Sequence, residues 1–129
     1  MINVRFYVNK GKLCMKAEGH AASAPAGEDI VCAGVSALSV ALADTLMLMD
    51  THGQMEAPPQ IRMDNGNATI KVRPEKKALG AVLIAFTVIQ SGMIAIMRGY
   101  PEYIRVKTFD QAEVEALSNR ESSTLTDSL

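Results

Sequence analysis

A chain of 129 residues with 48% hydrophobic and 21% charged residues has the composition of one globular domain rather than a disordered segment. A net charge of −1 does not imply a general polyanion-binding surface, and the first residues do not have the pattern of a secretory signal. Two cysteines allow at most one disulfide, so we expect two reduced thiols and a cytoplasmic protein.

Charge is unevenly distributed along the chain. Residues 1–107 carry twelve Lys and Arg against nine Asp and Glu, whereas residues 108–129 carry one Arg against five acidic residues. The sequence therefore predicts a folded domain over residues 1–107 and an acidic, flexible C-terminal tail over residues 108–129.

The first predicted element is a β-hairpin. Apolar and polar side chains alternate over residues 2–8, which is the period of a half-buried strand. A turn at residues 9–11 contains a glycine, and residues 13–17 alternate in the same way. This alternation places Cys14 on the polar face, and the second strand is expected to end at Gly19 and His20.

The remaining pattern predicts two helices, a second hairpin and a last strand. Residues 30–49 and 76–97 are apolar and helical in period, residues 61–73 form a hairpin around an Asn-Gly turn, and residues 103–107 form a strand. The order ββαββαβ predicts an α+β fold, with two helices packed on one face of a largely antiparallel sheet.

The second predicted helix raises the question of a membrane span. Residues 79–97 contain no charged side chain, which meets the length criterion for a span. Thr87, Gln90 and Ser91 interrupt this stretch, however, and the hairpins on both sides need an apolar partner. We therefore expect no membrane association, and so much apolar helix surface in a small domain predicts a homodimer.

A histidine and a cysteine lie close together in the sequence, at His20 and Cys32. Asp29 is a candidate N-cap of the first helix, which would make Cys32 the third helical residue. The unpaired N–H groups of a first turn favour a thiolate, and His20 at the end of the preceding strand could act as its base. The residues alone favour an ordinary core cysteine at Cys32, because a lone cysteine in an Ala-rich helix is more often a small core residue.

Several neighbouring residues are candidates for supporting roles. Gly19 would let the chain turn or approach a substrate closely, and Ser36 follows Cys32 by four positions on the same helix face. His52 is expected to cap the end of the first helix or face solvent. The proposed substrate loop consists of small residues: Ala21, Ala22, Ser23, Ala24, Pro25, Ala26 and Gly27.

Other kinds of site are not predicted. Cys14 and His52 lie in unrelated contexts, so the cysteines and histidines do not form a metal site. The sequence has no phosphate-binding glycine loop and no basic, aromatic nucleic-acid surface. We therefore expect no metal, no cofactor and no direct contact with nucleic acid.

Two sequence blocks resemble one known family. Gly19-His20-Ala21 and the block from Asp29 to Leu38, DIVCAGVSAL, resemble the ribosomal-processing cysteine protease Prp family, over about residues 1–107. The resemblance implies that His20 and Cys32 are a catalytic dyad, that the loop between them moves, and that the enzyme is a homodimer without metal or cofactor. It implies cleavage of a short N-terminal extension from a large-subunit ribosomal protein.

Two alternatives to that function stay open. A phage or prophage member would process capsid or scaffold proteins instead. A catalytically silent homologue would only bind such a peptide.

Overall fold

The first hairpin of the fold is confirmed by the structure. The computed structural model describes residues 1–19 and 26–127, apart from the side chains of residues 26–28 and 120–127. Strands β1 (Ile2–Asn9) and β2 (Lys12–Glu18) pair antiparallel. Lys10 and Gly11 have φ values of 51° and 79°. Two successive residues with positive φ match the twist of a tight two-residue hairpin turn.

The other elements follow the predicted order. They are α1 (Ala26–Thr51), β3 (Gln60–Asp64), β4 (Asn67–Val72), a 3₁₀ turn (Lys76–Ala78), α2 (Leu79–Gly99), β5 (Ile104–Lys107) and α3 (Gln111–Asp127). The strand order is β3-β4-β2-β1-β5. Only the β1–β5 pair is parallel within the described sheet. The predicted α+β fold is therefore confirmed.

The core lies between one face of the sheet and the two long helices. Phe6, Met15 and Ile70 point from neighbouring strands toward Leu42 of α1 and Phe86 of α2, and all five side chains are fully buried. These strand residues are direct cross-strand partners, so they share the face of the sheet that the helices cover. Each Å² of apolar surface removed from water stabilises the folded state by roughly 25 cal/mol, so burial of this core is the main contribution to stability.

Close contact between α1 and α2 depends on two glycines. A Cβ atom built on Gly34 of α1 would lie 2.9 Å from Cδ1 of Ile96 in α2. A Cβ atom on Gly92 of α2 would lie 2.9 Å from Cδ1 of Leu38 in α1. Ile96 of α2 therefore packs against Gly34 of α1, and Leu38 of α1 packs against Gly92 of α2.

Cys14 lies on the predicted polar face of the sheet, opposite the helices and between Tyr7 of β1 and Lys71 of β4, but it is fully buried. Burial raises the pKa of its thiol, although Lys71 and Lys12 act in the opposite direction. The alternation of the sequence gave the correct face for Cys14. It could not show that the longer side chains of neighbouring strands cover the small cysteine.

The segment after residue 107 differs from the predicted flexible tail. It forms α3, and its side chains at Phe109 and Leu117 are buried. The Phe109 ring lies 5.7 Å from the ring of Phe6 and 5.9 Å from that of Phe86. Its backbone N–H also donates to Oε1 of Gln90. The charge count overlooked these few apolar residues, which attach the start of the segment to the core.

Two helical segments have the length and hydropathy of membrane spans, Asp29–Thr51 and Lys76–Gly99. Core helices of globular proteins meet the same criterion. Both helices pack against each other and the sheet, yet only 33% and 28% of their most apolar windows are buried. Each helix therefore leaves an apolar side uncovered.

Candidate active site

A cavity of about 600 Å³ opens where three parts of the chain meet. One wall is the N-terminal half of α1, the second is formed by the ends of β1 and β2, and the third is the β3–β4 turn. The volume is in the range of sites that bind small molecules or peptide side chains. Cys32 lies on the first wall.

The α1 wall is a stripe of residues three or four positions apart. Asp29, Cys32, Ser36 and Ser39 all line the cavity, as the helical period predicts for one face. Cys32 is half-buried and packs against the edge of the core. Ser39 is buried and its hydroxyl donates to the carbonyl of Val35, so it has a structural partner. Ser36 is exposed, and a hydrogen bond to the Cys32 sulfur stays a prediction.

The predicted start of α1 is wrong. The helix begins at Ala26, so Ala26 and Gly27 belong to its first turn rather than to a loop. Asp29 is the fourth helical residue instead of the N-cap, and Cys32 is the seventh instead of the third. Acidic side chains in a first turn interact favourably with the positive end of the helix dipole, which favours this longer helix. The dipole acts more weakly on Cys32 than expected, because its effect falls off within the first turn.

The predicted base lies outside the described residues. His20 and the loop residues Ala21, Ala22, Ser23, Ala24 and Pro25 are not part of the description. The preceding residue, Gly19, is described and lines the cavity. The catalytic role of His20 therefore stays a prediction.

Gly19 has a backbone conformation that explains its identity. Its φ is +109°, which side chains of L-residues rarely permit. A Cβ atom at this position would overlap the backbone carbonyl oxygen of Met1. The Gly19 N–H donates to the carbonyl of Gly66 at 2.9 Å, which joins the end of β2 to the β3–β4 turn.

The β3–β4 turn is the wall that sequence reasoning missed. Asp64, Asn65, Gly66 and Asn67 line the cavity, although the sequence indicated only a hairpin turn at Asn65-Gly66. The Oδ1 atom of Asn67 is buried and has no hydrogen-bond partner among the described residues. Only the pairing of β4 with β2 brings this turn to the cavity, since it sets Glu18 opposite Asn67.

The second cysteine and histidine lie elsewhere. Cys14 is on the far side of the sheet, and His52 is exposed at the end of α1, with its Nδ1 2.9 Å from the Leu48 carbonyl. The predicted capping position of His52 is therefore confirmed. Within residues 1–19 and 26–127, no group of three His, Cys, Asp or Glu side chains could hold a metal ion.

Comparison with known families decides the class of protein. The model of the family described as cysteine protease Prp matches residues 1–105. The chain belongs to the cysteine protease Prp family. It is accordingly a cysteine peptidase, and the resemblance of its two sequence blocks to that family is confirmed.

Several solved structures share this fold, among them two of a Prp protease. The S. aureus ribosomal processing protease Prp with a substrate peptide is 25% identical, with a TM-score of 0.61 over 84% of this chain and 99% of that one. The same protein with a covalently linked product peptide is 26% identical, with a TM-score of 0.59 and the same coverage. SMU.848 from Streptococcus mutans is 27% identical, with a TM-score of 0.61 over 84% and 94%. No curated protein matches the chain.

Replacing Gly19 by Ala should destabilise this Prp-family chain. We expect a loss of about 2 kcal/mol in the free energy of unfolding, because the left-handed backbone and the Met1 carbonyl both exclude a Cβ. Urea unfolding of both proteins measures the difference. The matched control is Gly80→Ala, where a Cβ meets no atom within 4 Å and stability should be unchanged or rise by up to about 1 kcal/mol. Equal stabilities of Gly19→Ala and the parent protein would contradict this account.

Proposed function

We propose that this chain is an endopeptidase that removes a short N-terminal extension from a large-subunit ribosomal protein, with Cys32 as nucleophile and His20 as base. One observation carries the proposal: in a family of cysteine proteases, Cys32 is the cysteine on the cavity wall and Cys14 is buried on the other side of the sheet. The S. aureus relative, a ribosomal processing protease, has been captured with substrate and with covalently linked product. A covalent product agrees with attack by a cysteine.

The proposed reaction has two steps. The Cys32 thiolate attacks the scissile carbonyl carbon, and the tetrahedral oxyanion is stabilised by backbone N–H groups near the start of α1. His20 then donates a proton to the leaving amine, and the C–N bond breaks to give a thioester. Water activated by His20 hydrolyses this thioester and restores the thiol. Asp29 lies on the α1 wall of the cavity, as Cys32 does. We propose that its carboxylate orients His20.

The cavity offers polar groups for an extended peptide. Asn67 lines the cavity, and its side-chain carbonyl oxygen is buried without a partner among the described residues. A buried acceptor left unpaired is costly, so a peptide N–H that reaches it would be bound favourably. We propose that Asn67 positions the substrate backbone.

Replacing Cys32 by Ala should abolish cleavage. The expected loss of kcat is at least a thousandfold, because no other described cysteine reaches the cavity. Mass spectrometry of synthetic N-terminal extensions incubated with each protein measures cleavage and locates the bond. Cys14→Ala is the matched control and should keep activity, since burial raises the pKa of that thiol and keeps it protonated. Undiminished cleavage by Cys32→Ala would overturn the proposal.

Two further measurements separate the alternatives. Cleavage of a phage capsid or scaffold peptide in preference to a ribosomal one would identify a virion-processing enzyme. Iodoacetamide should alkylate Cys32 of the Cys14→Ala protein faster than it alkylates a small free thiol at neutral pH. A Cys32 that reacts no faster, in a protein that binds the peptide without cleaving it, would indicate a silent homologue.

Replacing Asn67 by Ala should weaken substrate binding. We expect KM to rise on the order of fivefold with little change in kcat, the effect of about 1 kcal/mol from one lost hydrogen bond. Steady-state kinetics with the cleavable peptide separate the two constants. Asn9→Ala, the same change at an exposed position at the far end of β1, should leave both constants unaltered. A fall in kcat without a change in KM would contradict a binding role.

We also propose that two copies associate through the outer faces of α1 and α2. Large apolar side chains are exposed there, including Leu48 of α1 and Ile84 and Val88 of α2. Ile84 is 67% exposed and Val88 62%, which is unusual for neighbouring apolar residues on one helix. A second copy would cover this surface with the same surface, as a two-fold symmetric interface requires.

Charges placed on that face should separate the copies. Analytical ultracentrifugation of the parent protein should give twice the chain mass of 13.9 kDa, and Ile84→Glu with Val88→Glu should give a monomer. Thr108→Glu with Gln111→Glu adds the same charge at exposed positions after β5 and should stay dimeric. A monomeric parent protein, or association that needs detergent or lipid, would contradict the dimer.

A further inference from the structure

The face of the sheet opposite the helices concentrates positive charge. The strand registers place seven of the thirteen Lys and Arg side chains on this open face, against two carboxylates, Glu18 and Asp64. The seven cations are Arg5, Lys12, Lys16, Arg62, Lys71, Arg105 and Lys107. A net charge of −1 for the chain conceals this surface, because most of the acidic residues lie elsewhere.

Four of these cations form one row across the sheet. Lys107, Arg5, Lys16, Thr69 and Arg62 are successive direct partners on all five strands. Neighbouring strands lie about 4.8 Å apart, so the row extends over about 19 Å. Direct cross-strand partners share a face, so these side chains project to the same side.

The row is electrostatically unfavourable in the protein alone. Like charges directly opposite each other destabilise a sheet, and Arg5 has a cation on each side. Glu18 pairs with Lys16 at 2.9 Å and Asp64 pairs with Arg62 at 2.7 Å. Among the described residues, Arg5 and Lys107 have no carboxylate partner within ion-pair distance. An anion bound at this end of the row would offset the repulsion.

The chemistry around the row favours a nucleic acid over a lipid surface. The Arg5 guanidinium lies 4.9 Å from the centre of the Tyr7 ring, which is half-buried on the same face. An arginine held over an aromatic ring, beside a line of cations, offers contacts to both the phosphates and the bases of a single strand. The described strands present no large exposed apolar side chain on this face that would insert into a membrane.

We propose that the open face of the sheet binds single-stranded RNA, with the phosphate backbone along the row from Lys107 to Arg62. No residue of the row from Lys107 to Arg62 lines the cavity, so RNA along the row and a peptide in the cavity contact different residues. The proposal goes beyond peptide cleavage and does not depend on it.

Binding is tested with the Cys32→Ala protein and a fluorescently labelled RNA of about twelve nucleotides. Fluorescence anisotropy from about 50 to 300 mM KCl gives the affinity and its salt dependence. Arg5→Gln with Lys107→Gln should weaken binding on the order of tenfold and reduce the slope of log K against log salt by about 1.4, or 0.7 for each lost phosphate contact. Lys77→Gln with Arg98→Gln removes the same charge outside the sheet and should change neither.

The controls make each outcome decisive. The protein with Arg5→Gln and Lys107→Gln (the row variant), with Cys32 restored, should cleave a short peptide as the parent does. This activity shows that the variant is folded. Should it not fold, Lys107→Gln alone, on edge strand β5, should give half the change in slope. Three results would each overturn the proposal: no binding of RNA by the parent, equal losses in the row and control variants, or preferential binding of an acidic peptide or of anionic vesicles.

Discussion

The backbone at Gly19 is the constraint on which the site depends. Its N–H bonds the Gly66 carbonyl, its left-handed φ turns the chain out of β2, and its missing side chain leaves room for the Met1 carbonyl. The start of the chain, the end of β2 and the β3–β4 turn therefore meet at Gly19. Because β2 pairs with β4 up to this point, the cavity has one rigid wall on which the substrate and α1 can be aligned.

Helix α1 carries the proposed nucleophile, and its position is fixed by close packing against α2. Gly34 and Gly92 accept Ile96 and Leu38 from the opposite helix, so α1 and α2 pack closely at two points. Cys32 lies one half-turn before Gly34, near this fixed part of the helix. The proposed nucleophile, placed in this way, needs little reorganisation before attack, which is how enzymes reduce the entropic cost of reaction.

The fold could be predicted from the sequence because its signals are local. Period-two alternation, the Asn65-Gly66 turn and two long apolar helices define ββαββαβ without knowledge of the strand order. The wall at Asn67 could not be predicted, since it depends on the pairing of β4 with β2, which leaves no local pattern. The start of α1 was misplaced because Asp29 is both a good N-cap and a good first-turn residue. The row of cations beginning at Lys107 could not be predicted either, because it also depends on which strands pair and in which register.

The position of the first residue has a practical consequence for work with this enzyme. The Met1 carbonyl lies against Gly19, and Ile2 lines the cavity. Any purification tag or fusion partner joined ahead of Met1 would therefore emerge beside the substrate entrance, where it could block the site or be cut as a pseudo-substrate. Affinity handles belong at the other terminus, and a protein prepared with a leading tag is a poor standard for measuring turnover.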